Sequence, residues 1–392
     1  MSYLVTIRCN VALAIMEMPT SVGTDSCRTR DGGDAGFPGS AVTSAAGKTT
    51  GQIAKGVLAA LTVLAVTSAA SAQAGDPVRV TAENYIRAES DASLTAVVKE
   101  GAFGKLVSIR EPQPIDKQTI IRPNRDTLYS FGVFDLDAGP VTITLPDAGD
   151  RFMSLQIIDE DQYSPDVYYD AGSYTLTREN IGTRYVQPAV RILVNPNDPA
   201  DIAAVHVLQD AIKVDQPGGP GKFEVPAWDD ASRLKVRSAL LTLGEGLDSR
   251  RMFGRRDEVD PIKHLIGTAV GWGGNPESAA FYMSIVPPKN DGTAIHRLHV
   301  PASVPVDGFW SISLYNAEGY FQKNELDAYS LNNITAKKGQ DGSVDVQFGG
   351  CDGKIPNCLP IMKGWNYTVR LYRPRAAILD GTWKFPEAKP AG

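Results

Sequence analysis

The stretch RFMSLQIIDEDQY, residues 151–163, is echoed later in the chain by GFWSISLYNAEGY, residues 308–320. Apolar and polar residues mostly alternate from Met153 to Ile158, the period of a β-strand with one buried face. After a two-residue gap, SYTL (173–176) falls on AYSL (328–331). The echo predicts two copies of one β-sandwich or jelly-roll module, with chance similarity as the alternative. The matched pairs are Phe152 with Phe309, Ser154 with Ser311, and Tyr163 with Tyr320.

Further strand-like runs flank both copies. LYSFGVF and VTITLP precede the first copy and VRILVNP follows it, whereas SVDVQF and NYTVRLY follow the second. Turn sequences rich in Gly, Pro and Asp separate these runs. Between the two β segments, Asp198-Pro199, Asp260-Pro261 and Asn275-Pro276 each place a capping side chain before a proline, a pattern that predicts helix starts.

These patterns predict an α+β, β-rich fold: two jelly-roll or β-sandwich modules, related by duplication, with an intervening helical segment. We assign residues 1–72 to a leader with a signal peptide and residues 76–118 to an N-terminal helical segment. A first β domain follows at 119–196, then a helical linker domain at 197–290 and a second β domain at 291–392.

The composition places the chain among globular proteins that bury a sizeable core. It has 392 residues, 43% of them hydrophobic, and a net charge of −6. No cluster of lysine and arginine with interleaved aromatic residues occurs, so the chain lacks the electrostatic pattern of a nucleic-acid binder. Neutral or cationic small molecules, or other proteins, are the expected partners.

Residues 55–75, KGVLAALTVLAVTSAASAQAG, have the layout of a secretory signal peptide. The apolar part is too short to span a bilayer of ~30 Å, so we expect no stable membrane anchor. Cleavage is expected after Ala72 or Ala74, which predicts a periplasmic or secreted mature chain. Because the segment begins far from Met1, we predict that translation starts downstream, near Val42; a functional leader is the alternative.

Only Cys351 and Cys358 remain after such cleavage, in the loop GGCDGKIPNCLP. An exported pair this close in sequence predicts a disulfide. Two free thiols are the alternative, and metal binding without a nearby histidine is the weakest reading.

Known catalytic motifs are absent from the sequence. GKTT at 47–50 lacks the first glycine of a P-loop, and GWGG at 271–274 is no dinucleotide fingerprint, so we expect no cofactor. No GxSxG nucleophile elbow occurs, and the SxxK match at 232–235 is expected by chance. A serine–histidine arrangement assembled from distant positions stays open.

Titratable residues elsewhere give one further catalytic candidate and no metal site. His264 follows the predicted helix start at Asp260 by one turn and could project into a cleft between domains, although a structural role is favoured. Asp159-Glu160-Asp161 ends a strand, and a solvated turn is a commoner explanation for such a cluster than calcium binding.

Polar residues crowd RPNRDTLYS, residues 122–130, just before the strand-like run FGVFDL. A carboxylate beside a tyrosine and an arginine can perform acid–base chemistry once desolvated, which makes Asp126 and Tyr129 catalytic candidates. We expect Asp126 to pair with Arg122 or Arg151, either to brace the start of the strand or to open onto a pocket. The candidate ligand-binding residues here are Arg122, Asn124, Asp126, Tyr129 and Arg151.

The segment RPNRDTLYSFGVFDLDAGPVTITLPDAGDRFMSLQIID resembles the DUF1254 family, and DGFWSISLYNAEGYF, NCLP and VRLYRPRAAILDGTWKFP resemble the DUF1214 family. The resemblance implies two β-rich, jelly-roll-like domains with helices between them, often exported by bacteria, and no established reaction. The family commonly has Asn-Trp-Leu-Pro where this chain has Asn357-Cys358-Leu359-Pro360, which implies an altered pocket wall. Asn357 is therefore a further candidate ligand residue.

Two functions compete at this stage. Aromatic residues at strand ends, Trp310 among them, could stack on a ligand, which favours an envelope protein that binds an unidentified small molecule or assembles into a homo-oligomer. The alternative is an esterase-like hydrolase that uses Asp126 and Tyr129, although the nucleophile signature is missing.

Overall fold

A computed structural model describes residues 76–118 and 120–391. Its helices are α1 (Tyr85–Lys99), α2 (Arg178–Ile181), α3 (Pro199–Ala211), α4 (Asp230–Leu243), α5 (Pro261–Gly271) and α6 (Ala376–Leu379), with a 3-10 turn at Leu136–Ala138. The first strands are β1 (Val107–Ile109), β2 (Thr127–Phe131), β3 (Phe134–Asp135), β4 (Val141–Leu145), β5 (Met153–Asp159), β6 (Val167–Tyr168), β7 (Gly172–Leu176), β8 (Tyr185–Leu193) and β9 (Lys213–Asp215). The later strands are β10 (Ala280–Ile285), β11 (His296–Val300), β12 (Trp310–Tyr315), β13 (Ser330–Asn332), β14 (Val344–Phe348), β15 (Cys358–Leu359), β16 (Asn366–Tyr372) and β17 (Lys389–Pro390).

The N-terminal module is a sandwich of two sheets. A six-stranded sheet has the order β1-β2-β8-β5-β6, with β3 also on β8, and a three-stranded sheet has the order β7-β4-β9. Alternate residues of β5, such as Leu155 and Ile157, join Val190 of β8 and Ile143 of β4 in one buried core. The period of two read from β5 is thus the period of its core-facing side chains.

The C-terminal module repeats the sandwich with two four-stranded sheets, β10-β16-β12-β13 and β15-β14-β11-β17. Its core is aromatic: Trp365, Tyr367 and Phe348 are fully buried, and Phe348 stacks on Trp365 with 5.0 Å between ring centroids. Trp310 belongs to the same core.

The predicted duplication is confirmed by strand order and by register. The strands β2-β8-β5-β6 of the first module correspond in order to β10-β16-β12-β13 of the second. Ser154 lies opposite Arg191 in the first module as Ser311 lies opposite Arg370 in the second. Tyr129 and Tyr282 take the matching places on the other side of each arginine.

The two copies also share a turn. The N–H of Tyr163 donates to Oδ1 of Asp159, and the N–H of Tyr320 donates to Oδ1 of Asn316, each at 2.8 Å. One predicted match is wrong, because SYTL forms β7 beside β4 whereas AYSL leads into β13 beside β12. The partner of β5 that corresponds to β13 is β6.

The helices α1, α4 and α5 pack together around Tyr85, Leu240 and Ile266. Asp198 and Asp260 cap α3 and α5 as predicted, accepting hydrogen bonds from backbone N–H groups of the first turn. The helix predicted to start at Asn275-Pro276 is wrong, since a turn there leads directly into β10.

Strand pairing corrects the predicted domain limits. β1 lies in the segment predicted as helical but pairs with β2, and β9 and β10 lie in the predicted helical linker but pair with β4 and β16. β1 and β9 are only three residues long, and β10 has little alternation of apolar and polar residues, so none of them gave a clear signal in the sequence. No helix in the described part of the chain is long and apolar enough to cross a membrane. The predicted leader, signal peptide and start near Val42 lie outside the described residues.

Candidate functional site

Two sheets, the six-stranded sheet of the first module and β10-β16-β12-β13 of the second, carry buried polar side chains on the face that points away from the sandwich core. We call these residues the polar layer: Ser154, Gln156, Gln187 and Arg191 from β5 and β8, and Ser311, Ser313, Thr368 and Arg370 from β12 and β16. Each alternates along its strand with residues of the sandwich core, so that it points away from that core. A polar face of this size stays out of water only because other elements cover it.

Residues 122–127, from the segment RPNRDTLYS, lie against the part of the polar layer that β12 and β16 provide. Arg370 is fully buried; its Nη1 donates to Oγ of Ser313 at 2.7 Å, and its Nη2 donates to the carbonyl oxygen of Arg122 at 3.0 Å and to the hydroxyl of Tyr315 at 2.7 Å. The Tyr315 hydroxyl in turn donates to the carbonyl oxygen of Pro123 at 2.8 Å. The DUF1254-like segment is therefore hydrogen-bonded to the DUF1214-like sheet.

Asn124 links the two sheets through tyrosines. Its Nδ2 lies 3.1 Å from the hydroxyls of both Tyr129 and Tyr372, one from each module. Phe152 meets Phe309 edge-on at 5.1 Å between ring centroids, and these are the paired phenylalanines of the duplicated stretch. The two copies therefore meet at equivalent residues, as in a pseudo-two-fold arrangement.

Asp126 is fully buried, and Arg370 is the charged residue that acts most strongly on its pKa. Its Oδ1 accepts a hydrogen bond from Nδ2 of Asn332 at 3.2 Å, while Oδ2 has no hydrogen-bond partner. Burial raises the pKa of Asp126, opposed by Arg370, Ser311 and Asn332. The predicted pairing of Asp126 with Arg151 is wrong, because Arg151 binds Asp201 at 3.0 Å and the carbonyl oxygen of Leu193 at 2.7 Å.

Arg122 also lies in this junction and is buried, with Nη2 donating to Oδ1 of Asn366 at 3.3 Å. Its φ of 49° lies in the left-handed region, which is uncommon for a residue with a side chain. The bend it makes brings its carbonyl oxygen to Arg370.

Arg191 lies in the part of the polar layer that β5 and β8 provide, and it is only 2% exposed. Its guanidinium group lies 5.6 Å from the centre of the Tyr129 ring, but within residues 76–118 and 120–391 it forms no ion pair, and its Nη1 has no hydrogen-bond partner. Burial raises the pKa of Tyr282 and raises that of Tyr169 to about 12, and the charge of Arg191 opposes both shifts. Both tyrosine hydroxyls are therefore near Arg191 and un-ionised at neutral pH.

Further polar atoms of the layer are buried without a hydrogen-bond partner. They are Oε1 of Gln156, both amide atoms of Gln187, Oγ of Ser311 and Oγ1 of Thr368. Native proteins pair the great majority of such atoms, so a concentration of exceptions on one surface requires a physical explanation.

His264 lies apart from the polar layer, among α5, α1 and the turn after β5. Its ring stacks on Tyr163 at 4.3 Å, and its nitrogens lie 3.0 Å from the carbonyl oxygens of Met252 and Asp161. Burial lowers the pKa of His264. Both ring nitrogens of His264 therefore contact the backbone.

Two more candidate ligand residues lie elsewhere. Trp310 faces the sandwich core and borders a cavity of about 200 Å³ on the side of the second module. The Asn357 side chain is used by the backbone: Oδ1 accepts from the N–H of Lys337 at 2.7 Å, and Nδ2 donates to carbonyl oxygens of Lys337 and Asp345. Neither residue joins the group around Asp126 and Tyr129.

The acidic cluster after β5 is divided among separate partners. Asp159 accepts backbone N–H groups, Glu160 accepts the N–H of Tyr185 at 3.0 Å, and Asp161 pairs with Arg87 at 2.6 Å. Among the described residues, no group of three or more acidic, histidine or cysteine side chains could hold a metal ion. Cys351, in the loop after β14, and Cys358, the first residue of β15, form a disulfide.

Sequence reasoning missed both central arginines. A signal existed, because Val190-Arg191-Ile192 and Val369-Arg370-Leu371 are a second echo between the modules, each a single arginine inside an apolar strand. An ionised residue within an apolar run indicates a buried polar contact, which neither turn chemistry nor catalytic motifs would reveal.

Two family models match this chain. The protein of unknown function family DUF1254 matches residues 103–216, and the protein of unknown function family DUF1214 matches residues 288–376. The chain belongs to the DUF1254/DUF1214 domain-containing proteins. No curated protein matches it.

One solved structure supports the fold of this DUF1254/DUF1214 protein. The VPA0106 protein from Vibrio parahaemolyticus is similar with a TM-score of 0.62 and 18% identity, over 79% of this chain and 98% of that one. An uncharacterised protein from Burkholderia cenocepacia gives a TM-score of 0.45 and 11% identity, over 78% of this chain and 86% of that one. The first similarity extends to both sandwich modules and shows a shared architecture.

Proposed function

We propose that this protein is an exported binding protein for a small polar molecule, which it holds in the polar layer between the two sandwiches. The observation that supports this is the set of buried, unpartnered donors and acceptors on the facing sheets, including Arg191, Gln156 and Thr368. A buried polar atom without a partner costs about 1–3 kcal/mol, and a ligand that hydrogen-bonds to several of them would recover much of that cost.

The surroundings of the layer suit a small ligand. Tyr129, Tyr169 and Tyr282 keep part of their surface accessible although they lie around the buried Arg191. Aromatic rings with hydroxyl groups offer a ligand both an apolar surface and hydrogen bonds. These features support binding in the layer rather than on the outer face of either sandwich.

Export is a part of this proposal that the sequence supports through the signal-peptide pattern of residues 55–75. It is tested by fractionating cells that express the full chain and determining the N-terminus of the accumulated protein. A periplasmic or secreted product that begins after Ala72 or Ala74 is expected. An uncleaved product in the cytoplasm would contradict export.

Binding is tested by thermal shift with a panel of sugars, amino acids, hydroxy acids and nucleosides. At least one compound should raise Tm, because a ligand that binds only the folded state stabilises it. The variant Ser311→Ala/Thr368→Val removes two unpartnered hydroxyls with little change in shape and should weaken the binding of that compound. Thr175→Val makes the same change on an exposed strand and should not.

Two results would reject binding in the layer. One is a panel in which no compound shifts Tm. The other is a compound whose shift is the same in wild type, in the double variant, in Arg191→Gln and in Thr175→Val, since it would then bind elsewhere.

A hydrolase remains the second candidate, because Oδ2 of Asp126 is buried without a hydrogen-bond partner and the hydroxyl of Ser311 acts on the same carboxyl group. None of the four histidines contacts either residue through a hydrogen bond in the described part of the chain. Chromogenic acyl and glycosyl esters test this function. Turnover by wild type that Asp126→Asn abolishes would favour the hydrolase, provided the variant keeps the wild-type Tm.

A further inference from the structure

The duplication provides an internal comparison for Arg191. Arg191 and Arg370 occupy the same place in the two modules, each opposite a serine on the neighbouring central strand and a tyrosine on the other neighbour. Both arginines are buried to within 2% of complete burial. Their environments can therefore be compared position by position.

The equivalence between the modules extends to Asp126, the residue that supplies a carboxylate in the first module. The N–H of Val194 donates to the carbonyl oxygen of Asp126, and the N–H of Arg373 donates to that of Ala279, both at 2.8 Å. Asp126 lies three residues before Tyr129, and Ala279 lies three residues before Tyr282. Ala279 thus takes in the second module the place that Asp126 has in the first.

The two arginines differ in charge compensation. Asp126 accepts a hydrogen bond from Asn332, the residue of β13 that lies opposite Ser311. Burial raises the pKa of Asp126 and both Arg370 and Ser311 oppose this shift, so the carboxyl group faces this arginine–serine pair. The matching pair, Arg191 and Ser154, has an alanine at the equivalent place and forms no ion pair in the described residues. A buried cation without an anion is costly, by several kcal/mol in the general case.

We infer that Arg191 and Ser154 bind the carboxylate group of the ligand, which takes beside this pair the position that the Asp126 carboxylate takes beside Arg370 and Ser311. This inference rests on the proposed function and specifies its ligand as a small carboxylic acid in its anionic form. Arginine binds carboxylates through charge-assisted hydrogen bonds, and an adjacent serine hydroxyl adds a donor. Gln156 and the hydroxyl of Tyr282 are placed to contact the rest of such a molecule.

Matched acid and amide pairs test the inference: acetate with acetamide, lactate with lactamide, and benzoate with benzamide. Binding is measured by calorimetry and thermal shift at neutral pH in a buffer without carboxylate or phosphate. At least one acid should bind at least about tenfold more tightly than its amide, because only the acid supplies a charge to Arg191. Equal affinity of every acid and its amide would overturn the inference.

Two variants locate the binding site. Arg191→Gln should abolish the difference between the bound acid and its amide, whereas Arg375→Gln, at an exposed arginine, should preserve it. Ala279→Asp should place a carboxylate of the protein beside Arg191. It should therefore raise Tm without ligand and lower the affinity for the acid at least about tenfold. Ala279→Asn has nearly the same shape without the charge and should bind the acid more tightly than Ala279→Asp does.

The outcomes separate this inference from the proposed function. An acid that binds wild type and Arg191→Gln equally overturns the carboxylate site. If no acid binds but a neutral compound binds in a manner sensitive to Ser311→Ala/Thr368→Val, the inference fails and the proposed function stands. If neither panel yields a ligand, both fail. Should Arg191→Gln not fold, the acid and amide comparison on wild type and Ala279→Asp still decides.

Discussion

At the residue scale, one position of the duplicated turn differs in charge between the modules. Asp159 and Asn316 each accept the N–H of the tyrosine four residues later. Burial, with the negative charge of Asp161, raises the pKa of Asp159 to about 7, although the hydrogen bonds from backbone N–H groups oppose the shift. The asparagine makes the same turn without this ionisable group.

We predict that Asp159→Asn stabilises the protein at pH 8 but not at about pH 4. A carboxyl whose pKa is higher in the folded than in the unfolded state binds more protons when folded, so stability falls as pH rises from about 4 to about 7. The variant lacks this pH-dependent loss of stability, which amounts to on the order of 1–4 kcal/mol above pH 7. The free energy of unfolding in urea, measured across this pH range, checks it.

The control is Asp341→Asn, because Asp341 is exposed and its pKa is lowered by hydrogen bonds with Ser343. It should not gain stability at pH 8. Equal effects of Asp159→Asn at both pH values would show that Asp159 does not titrate in this window.

At the element scale, the loop between β14 and β15 joins an unusual pair of strands. These two strands pair in parallel although only nine residues, 349–357, connect them. Parallel neighbours usually need a long crossover, so this short connection is unusual. The Cys351–Cys358 disulfide closes the loop, and the Asn357 side chain fastens its end to Lys337 and Asp345.

We predict that Cys351→Ser/Cys358→Ser lowers the free energy of unfolding by about 2–3 kcal/mol, since a cross-link over a short loop restricts the unfolded chain by about this amount. Urea denaturation of the oxidised protein checks it. In a reducing buffer the wild type and the variant should become similar. An unchanged unfolding midpoint for the variant in oxidising buffer would show that the disulfide does not contribute to stability.

At the scale of the whole molecule, the two sandwiches share their polar contacts. Arg370 of the second module donates to the carbonyl oxygens of Arg122 and Pro123, and Asn332 donates to Asp126. If either module unfolded alone, it would leave these buried groups of the other unpaired. The free-energy cost of this loss couples the two unfolding transitions.

We predict that the two modules unfold together, in a single cooperative transition in calorimetry. Arg370→Gln should keep one transition but lower stability by about 3–5 kcal/mol, the usual cost of removing one partner from a buried charged network. Arg375→Gln, at an exposed ion pair with Asp307, should change stability by less than about 1 kcal/mol. Two separate transitions in wild type would contradict this coupling.

The sequence by itself determined the repeated module, the positions of the main strands, the caps of α3 and α5 and the family. These features depend on local periodicity and on residues close together in the chain, such as the alternation in β5. It missed β1, β9 and β10 because these strands lack a clear local pattern and gain their stability from partners that are distant in sequence.

Only the tertiary structure decided which residues share the polar layer. Asp126 meets Arg370 and not Arg151 because the two sheets pack outer face against outer face, and strand periodicity specifies a face but not what covers it. The same packing brings Arg191 beside Tyr282. The sequence gives both arginines the same apolar neighbours, and the fold provides a carboxylate for only one of them.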